Sequence, residues 1–545
     1  MLGKNEDRVT PKEVYNFKIW VMATIAAFGS LMIGYDSSFV GGALALPSFT
    51  HEFGKLNPTT SANLVSTYQA GAFFGAFCGY PLGYFLGRKW GIAVCGFVFT
   101  VGSIIMVIAN SSTGLGPIYG GRAIAGLAIG AASNLAPTYI SEIAPSAIRG
   151  ALVGMWEVGW QVGGICGFWV NYGVKQHESD TGSAQWLIPF GLQLVPGAML
   201  FIGSFFLIES PRWLLTRDRR DDASRNLCKL RNLDPSHPYV MDEMALFEET
   251  LARERREVGR TFWGPIKFAF TSRTMLKRLA LASSMFIVQN ASGINSINYY
   301  SPTIFRAIGI TGTSTALLTT GVFGVIKTLG AIIWIAILIE RLGRRKIMMF
   351  GAAGCSAFMI WIGVYVAVAA NRAPVAGATL SAGGRSAVAA FYLWTIVYGS
   401  TLNGTPWVIG AEIFPQSSRP VGMAIVAASN WLYNLAISLG TPHAFAWSRF
   451  GLFLIFAGLS AIAVPYIYFV LPETAGVPLD RMSDLFSSKN GPIRHRHGKV
   501  MAMARAEHDG TANNGHVLPH AGSEGDSTPE KRSTDLETGD AALSK

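Results

Sequence analysis

The 545-residue chain is predicted to fold as an all-α membrane protein with twelve transmembrane helices, arranged as two parallel-repeat halves of six. Charged residues make up 14% of the sequence, whereas soluble domains carry about 25%. Long uncharged stretches account for the shortfall, and each is about 20 residues long, enough to cross the ~30 Å hydrocarbon core of a bilayer. The 61 glycines agree with this fold class, because small residues let transmembrane helices approach closely.

Twelve such stretches follow one another along the chain. In order, they cover residues 19–39, 61–86, 91–109, 117–138, 149–172, 186–208, 279–302, 317–340, 347–370, 388–411, 420–440 and 451–471. The resulting parts are an N-terminal segment (1–18), a first half (19–208), a connecting loop (209–278), a second half (279–471) and a C-terminal tail (472–545). The charged, periodic loop predicts short amphipathic helices, and the polar composition from about 486 onward predicts disorder.

The net charge of +11 is sorted by loop. Lys and Arg are concentrated in alternate loops, above all in 209–278, and are sparse in the others. Because cytoplasmic loops carry the Lys and Arg excess, both termini and the 209–278 loop are predicted to face the cytoplasm. No nucleic-acid motif accompanies the charge, so no nucleic-acid partner is expected. The five cysteines show no CxxC spacing, and neither a metal site nor a cofactor is predicted.

An internal repeat links the two halves. Each half contains a Leu-Gly-Arg turn, then a Glu that is followed seven residues later by an Arg, and finally a Glu after its last span. These features occur in the same order in both halves, at an offset of roughly 260 residues. The first copy comprises Arg88, Glu142, Arg149, Glu209 and Arg212, and the second comprises Arg344, Glu412, Arg419 and Glu473. Duplicated six-helix halves are typical of transporters that bind their substrate between the halves, near the middle of the membrane.

The matched acids and arginines predict ion-pair clusters at the cytoplasmic ends of the helices. Glu142 is expected to meet Arg88 and Arg149, and the second-half residues are expected to form the same cluster. Such clusters would hold one conformation and separate in the other. Topological anchoring alone explains the arginines but not the acids at matched positions.

Asp36 and Arg122 are ionisable residues within predicted spans of the first half, and charges inside a membrane are functional candidates by default. Asp36 lies in span 1 and Arg122 in span 4, so they are able to pair. Withdrawal of the guanidinium would favour a protonated carboxyl, which makes the pair a conformation-dependent proton switch. The alternative is a static salt bridge that stabilises the half.

Polar residues in the spans predict a cavity for a small polyhydroxylated molecule, because side-chain amides both donate and accept hydrogen bonds. The candidates are Glu157, Gln161, Gln289, Asn290, Asn295, Tyr299, Trp407, Asn430 and Asn434. Gly293 is expected to unwind span 7 between Gln289 and Asn295. Lys327, in the middle of span 8, either neutralises a carboxylate on the substrate or pairs with an acid of the protein. Each buried Asn taken alone is equally well explained as a residue that hydrogen-bonds one helix to another and stabilises their packing.

The chain resembles the sugar-porter family of the major facilitator superfamily from about residue 15 to 485. The shared motifs are Gly87-Arg88-Lys89, Gly121-Arg122, Glu209-Ser-Pro-Arg212, the Gln289…Tyr300 run, Pro406-Trp407 and Pro472-Glu473-Thr474. The resemblance implies that Asp36 and Arg122 occupy the proton-coupling positions of the symporters. It also implies that Gln289, Asn295, Trp407 and Asn430 occupy sugar-binding positions.

Several residues depart from the usual sugar-porter pattern and make the chain similar to fungal quinate permeases. Asn290 and Glu157 stand where many members have Gln, and Lys327 lies within span 8. This likeness implies proton-coupled quinate uptake at the plasma membrane by a monomer. Uptake of a neutral monosaccharide such as xylose or glucose remains an alternative, as does a non-transporting nutrient sensor. No nucleophile–base set is found near the spans, so an enzyme is not expected.

Overall fold

The computed structural model describes residues 10–369, 381–475, 477, 482–486 and 496–503. Within these ranges the chain is helical, with short connections and no strand. The predicted disorder from about 486 falls largely outside the described residues. Two compact units are defined, Met1–Val500 and Met501–Lys545. Only residues 501–503 of the second unit are described, and they are helical.

Twelve membrane helices in the described residues follow the predicted spans. In the first half they are α1 (Phe17–Ala43), α2 (Pro58–Phe85), α3 (Gly87–Val107), α4 (Gly116–Ile143), α5 (Arg149–His177) and α6 (Ala184–Leu192, continued by Leu194–Ser204). In the second half they are α7 (Arg273–Ala291 and Ile294–Ile308), α8 (Thr313–Ile333, continued by Trp334–Leu338 and Ile339–Arg341), α9 (Arg344–Ala369), α10 (Ala382–Thr401 and Thr405–Ile413), α11 (Arg419–Trp447) and α12 (Arg449–Val470).

Eight of these helices, counted over the described residues, are long and apolar enough by themselves to cross a membrane: α1, α3, α4, α6, α8, α9, α11 and α12. Of the other four, α2 and α5 have 28 and 29 residues, so their polar composition, not their length, sets them apart. Helices α7 and α10 are each interrupted. Polar composition or an interrupted helix therefore sets these four apart from the other eight, and such breaks occur at membrane depth where a helix lines a site.

The packing repeats between the halves. Helix α2 packs on α4 as α8 packs on α10, and α3 packs on α6 as α9 packs on α12. Close approach depends on small residues: a Cβ built on Gly75 of α2 would lie 2.1 Å from the backbone oxygen of Leu127 on α4. Between the halves, α2 packs against α11, α5 against α8, and α1 against the second part of α7. Helices α2, α5 and the second part of α7 therefore bring polar residues to the boundary between the halves.

The 209–278 segment forms short helices, as predicted. Their bounds are Pro211–Thr216, Arg220–Arg231, Pro238–Val258 and Trp263–Thr271. A small apolar core that includes Leu214, Leu227 and Met244 holds the first three of these helices together. We call the end of the bundle at which these helices lie the loop end.

Candidate functional site

Asp36 and Arg122 form a buried ion pair between α1 and α4. Arg122 Nη1 lies 3.2 Å from Asp36 Oδ1, and both side chains are 0% exposed. The guanidinium also donates to the Val65 carbonyl at 3.4 Å. Within the described residues, neither carboxylate oxygen of Asp36 has a well-aligned hydrogen bond. The charge of this carboxylate therefore depends mainly on the nearby guanidinium.

Two tyrosines connect this pair to the second half. The Tyr68 ring on α2 lies 5.2 Å from the Arg122 guanidinium and makes an edge contact, 5.8 Å between centroids, with Trp431 on α11. The Tyr299 hydroxyl on α7 accepts from Asn434 at 3.5 Å. With its nitrogen donating to the Ser66 carbonyl, the Gln69 amide accepts from Tyr299 at 3.0 Å. Movement of one half against the other must therefore alter the surroundings of Arg122.

The break in α7 assembles a cluster of three amides. Gly293 has φ +86°, and a Cβ there would lie 2.8 Å from the Phe456 ring, so only glycine fits. Beside the break, Asn295 donates to Asn290, and Asn290 donates to Asn430 of α11 at 3.4 Å. All three side chains are buried. The break expected at Gly293 is present, and it brings separate stretches of α7 onto one polar surface.

An acid and a lysine face each other across the boundary between the halves. Glu157 Oε1 on α5 accepts from Gln161 at 2.6 Å and from Asn403, in the break of α10, at 2.5 Å. Lys327 on α8 is 3% exposed. It interacts electrostatically with Glu157, yet no nitrogen–oxygen distance within 4.0 Å joins them among the described residues. Its ammonium forms no hydrogen bond there either, and its nearest ring, Phe323, lies at 5.9 Å.

The remaining polar candidates complete this surface. Gln289 donates to the carbonyls of Leu402 and Asn403 at 3.1 and 2.6 Å and so holds the α10 break in place. Trp407 is half-buried and makes an edge contact with Phe286 at 4.8 Å. Among the described residues, the side-chain oxygens of Gln161 and Asn434 have no hydrogen-bond partner. Unpartnered buried acceptors beside an unpartnered ammonium suit a ligand that carries hydroxyl groups and negative charge.

At the loop end, each half forms one ion pair of the predicted cluster. Arg88 binds Glu142 at 2.8 Å, and Arg344 binds Glu412 at 2.7 Å. Glu209 accepts from the Arg88 backbone N–H at 2.9 Å. In the same way, Glu473 accepts from the Arg344 N–H at 2.8 Å. Both carboxylates thus lie at helix N-termini, where the helix dipole favours negative charge.

Glycines before these arginines make room for the carboxylates. Gly87 has φ +88°, and a Cβ there would lie 2.4 Å from Glu209 Oε2. Gly343 has φ +79°, and its Cβ would lie 2.6 Å from Glu473 Oε2. The Gly-Arg motif therefore encodes both the left-handed turn and the space for the capping acid.

Arg149 and Arg419 are not paired with the acids to which the sequence assigned them. Arg419 donates to the Phe414 carbonyl at 3.3 Å, and Arg149 forms no ion pair within 4.0 Å in the described residues. Arg212 pairs instead with Glu254 of the loop. Burial raises the pKa of Glu254, an effect that Arg212 partly offsets. The repeat specifies which charges are present, but the loop helices determine their partners.

Several contributing residues were missed in the sequence. Asn403 follows no repeat, but its position before Gly404 and Pro406 was a usable sign of a helix break. Tyr68 and Gln69 lie in a span with many polar residues, and the sequence pattern does not show which of those residues belong to the site. No group of three or more potential metal ligands occurs in the described part of the chain.

The fold and the site define a polytopic helical carrier, with two repeated halves and a polar, charged site between them. A family model described as "Sugar (and other) transporter" matches residues 22–486. The chain therefore belongs to the sugar transporter family, and it is a multi-pass membrane transporter and not an enzyme.

Curated relatives match over nearly their whole length. A probable quinate permease of Aspergillus niger is 49% identical over 509 residues, covering 92% of this chain and 94% of the relative. A probable quinate permease of Aspergillus terreus is 47% identical over 515 residues, covering 93% of this chain and 94% of the relative.

Solved structures share the fold. The xylose transporter XylE from E. coli, in a partially occluded inward-open conformation, superposes with a TM-score of 0.68 and 22% identity, over 84% of this chain and 99% of XylE. The proton:xylose symporter XylE bound to 6-bromo-6-deoxy-D-glucose gives a TM-score of 0.69 and 22% identity, over 86% and 99%. Both are members of the major facilitator superfamily, whose fold this chain has.

Proposed function

We propose that the protein takes up quinate or a related hydroxy acid together with protons, by alternating access between its two halves. The observation that carries this proposal is Lys327, an ammonium that is 3% exposed and forms neither a hydrogen bond nor an ion pair within 4.0 Å in the described residues. It lies beside amides that suit hydroxyl groups. A polyhydroxylated carboxylate satisfies both features, and the names of relatives at 46–49% identity support the same substrate.

Asp36 is the proposed proton-carrying group. Its carboxylate is stabilised by Arg122, so a shift of Arg122 in the other conformation would favour protonation of Asp36. Tyr68 and Tyr299 connect this pair to the second half, whose movement would reach Arg122 through them. Proton affinity would then depend on which way the site faces, as coupling requires.

The ion pairs at the loop end are proposed to act as a latch. They comprise the Arg88–Glu142 and Arg344–Glu412 pairs, together with the Arg212–Glu254 pair of the loop. Ser417, before α11, also donates to Glu257 of the loop at 2.9 Å. Each of the first two ion pairs lies within one half, whereas the Ser417–Glu257 contact joins the second half to the loop. Opening of the loop end is proposed to break that contact and to rearrange the ion pairs.

The distribution of Lys and Arg supports cytoplasmic termini and a cytoplasmic 209–278 loop. The plasma membrane is the expected location, because uptake of an external nutrient requires it. One chain supplies all the residues of the proposed site, so a monomer is expected to suffice.

Uptake of a neutral monosaccharide is the second candidate. The cluster of Asn290, Asn295 and Asn430 favours it, because three amides are able to satisfy the hydroxyls of a sugar that lacks a carboxylate. Lys327 distinguishes the candidates, since a neutral sugar would bring no carboxylate for its ammonium to bind.

Uptake in cells that lack endogenous transporters tests the proposal. Labelled quinate, xylose and glucose are compared at two external pH values, with vector-only cells as the control. We expect quinate to accumulate fastest and faster at acidic pH. Accumulation of xylose or glucose without accumulation of quinate would establish the second candidate. A rate of quinate uptake that is the same at both pH values would contradict proton coupling.

A further inference from the structure

The charges around Glu157 balance before any substrate binds. From α5 comes the carboxylate with its neighbour Gln161, from α8 comes Lys327, and from α10 come Asn403 and Tyr398. Tyr398 is 2% exposed and, as a neutral phenol, adds no charge. One half-buried anion thus faces one buried cation, and the pair is neutral as a whole.

A substrate carboxylate upsets this balance. When it binds Lys327, as the proposed function holds, two carboxylates share one ammonium that is 3% exposed. An uncompensated buried charge costs several kcal/mol. Like charges that share a site are relieved when one of them takes up a proton. The substrate remains ionised where the ammonium donates to it, so Glu157 is the group left to be neutralised.

We propose that Glu157 is a second proton-binding group, which is protonated whenever an anionic substrate occupies the site, so that two protons accompany each substrate anion. This inference rests on the proposed function, and it names Glu157 beside Asp36. On the side of entry, one O–H bond of a hydronium ion breaks as one O–H bond forms at the Glu157 carboxylate. On the side of release, the Glu157 O–H bond breaks as a water molecule takes the proton and becomes hydronium.

The surroundings of Glu157 suit both of its protonation forms. As a carboxylate it accepts from the Gln161 and Asn403 amides. The side-chain oxygen of Gln161 has no partner in the described residues. Rotation of that amide by half a turn would present this oxygen to a protonated Glu157 as an acceptor. The Gln161 amide is therefore able to donate to Glu157 when Glu157 is ionised and to accept from it when it is protonated.

The charge moved per substrate tests the proposal. Quinate-evoked current and labelled quinate uptake are measured together in voltage-clamped oocytes expressing the full chain. One net positive charge per quinate is expected for the unaltered protein, because two protons accompany one anion. Glu157→Gln is expected to carry quinate with no net charge, since Asp36 still supplies one proton. Asp180→Asn, which alters an exposed acid paired with Lys175, is the matched control and should keep the original ratio.

Each result has a defined meaning. An equal charge ratio in Glu157→Gln and the unaltered protein would overturn the role of Glu157 while leaving quinate symport intact. A ratio of zero in the unaltered protein would also overturn it, and that measurement stands even if Glu157→Gln fails to reach the surface. Absence of any quinate uptake by the unaltered protein would instead reject the proposed function itself.

Discussion

Replacement of Lys327 by methionine, which keeps the chain length and removes the charge, is expected to weaken quinate uptake selectively. The ammonium is 3% exposed and has no partner among the described residues, so a substrate carboxylate would be its direct partner. Hydrogen bonds to charged groups contribute about 1.5–3 kcal/mol. At about 1.4 kcal/mol per tenfold change, the KM for quinate should rise roughly 10- to 100-fold.

The substitution also leaves Glu157 without its counter-charge, so a second variant separates the two effects. Lys327→Met combined with Glu157→Gln keeps the site neutral. We expect this double variant to recover surface expression if Lys327→Met alone loses it, but not to recover affinity for quinate. Lys175→Met, at a lysine that pairs with Asp180, serves as the matched control and should leave KM unchanged.

The assay is labelled quinate uptake in transporter-null cells, with competition by quinamide, the neutral amide of the same ring. Lys327→Met should raise the KM for quinate far more than the inhibition constant for quinamide. Equal losses for the acid and the amide would show that Lys327 maintains the site without contacting a carboxylate. The reasoning from its missing partner would then be wrong.

Two further variants test other parts of the account. Glu142→Gln should weaken the latch by about 1–3 kcal/mol, the usual range of conformational couplings. The weaker latch should increase maleimide labelling of Asn134→Cys, because the native Asn134 amide donates to the Pro420 carbonyl across the halves at 3.3 Å. Unchanged labelling would count against the latch. Gly343→Ala should lower the thermal stability of the protein, because a left-handed residue with a Cβ costs about 1–2 kcal/mol and the Glu473 carboxylate must also move. Gly440→Ala is the control and should leave the stability unchanged, because there is open space around Gly440. Equal melting temperatures for the two glycine variants would contradict that argument.

The membrane helices were predictable because hydropathy is a property of each segment alone. All twelve spans correspond to helices, and Gly293 correctly indicated the break in α7. The break in α10 was not predicted, since its polar residues are few and its ends are as apolar as those of an unbroken helix. Gly404 and Pro406 were the available signs.

Pairing between charges was less predictable than their presence. The repeat identified the acids and arginines of both halves, and Arg88–Glu142 and Arg344–Glu412 formed as expected. Arg149 and Arg419 did not join them, because a sequence spacing places each arginine near its acid along the chain but does not determine which side chains meet once the helices pack. Glu254, the partner of Arg212, lies in a loop helix that no repeat connects to the bundle.

The site was partly predictable for the same reason. Buried charges such as Asp36 and Lys327 are conspicuous in apolar spans, because their desolvation is costly. Neutral polar residues are less conspicuous. Several amides were identified in the sequence, but Tyr68, Gln69 and Asn403 were recognised only through their contacts.

Proton movement by Asp36→Asn tests the central claim most directly. Purified protein is reconstituted in liposomes, an inward quinate gradient is applied, and the internal pH is followed with an entrapped dye. In a second assay, quinate exchange is measured in the absence of any proton gradient. We expect Asp36→Asn to lose at least half of the quinate-driven internal acidification and to retain exchange. Acidification that equals that of the unaltered protein would show that protons cross without a carboxyl group at position 36, and the account of coupling through the Asp36–Arg122 pair would be contradicted.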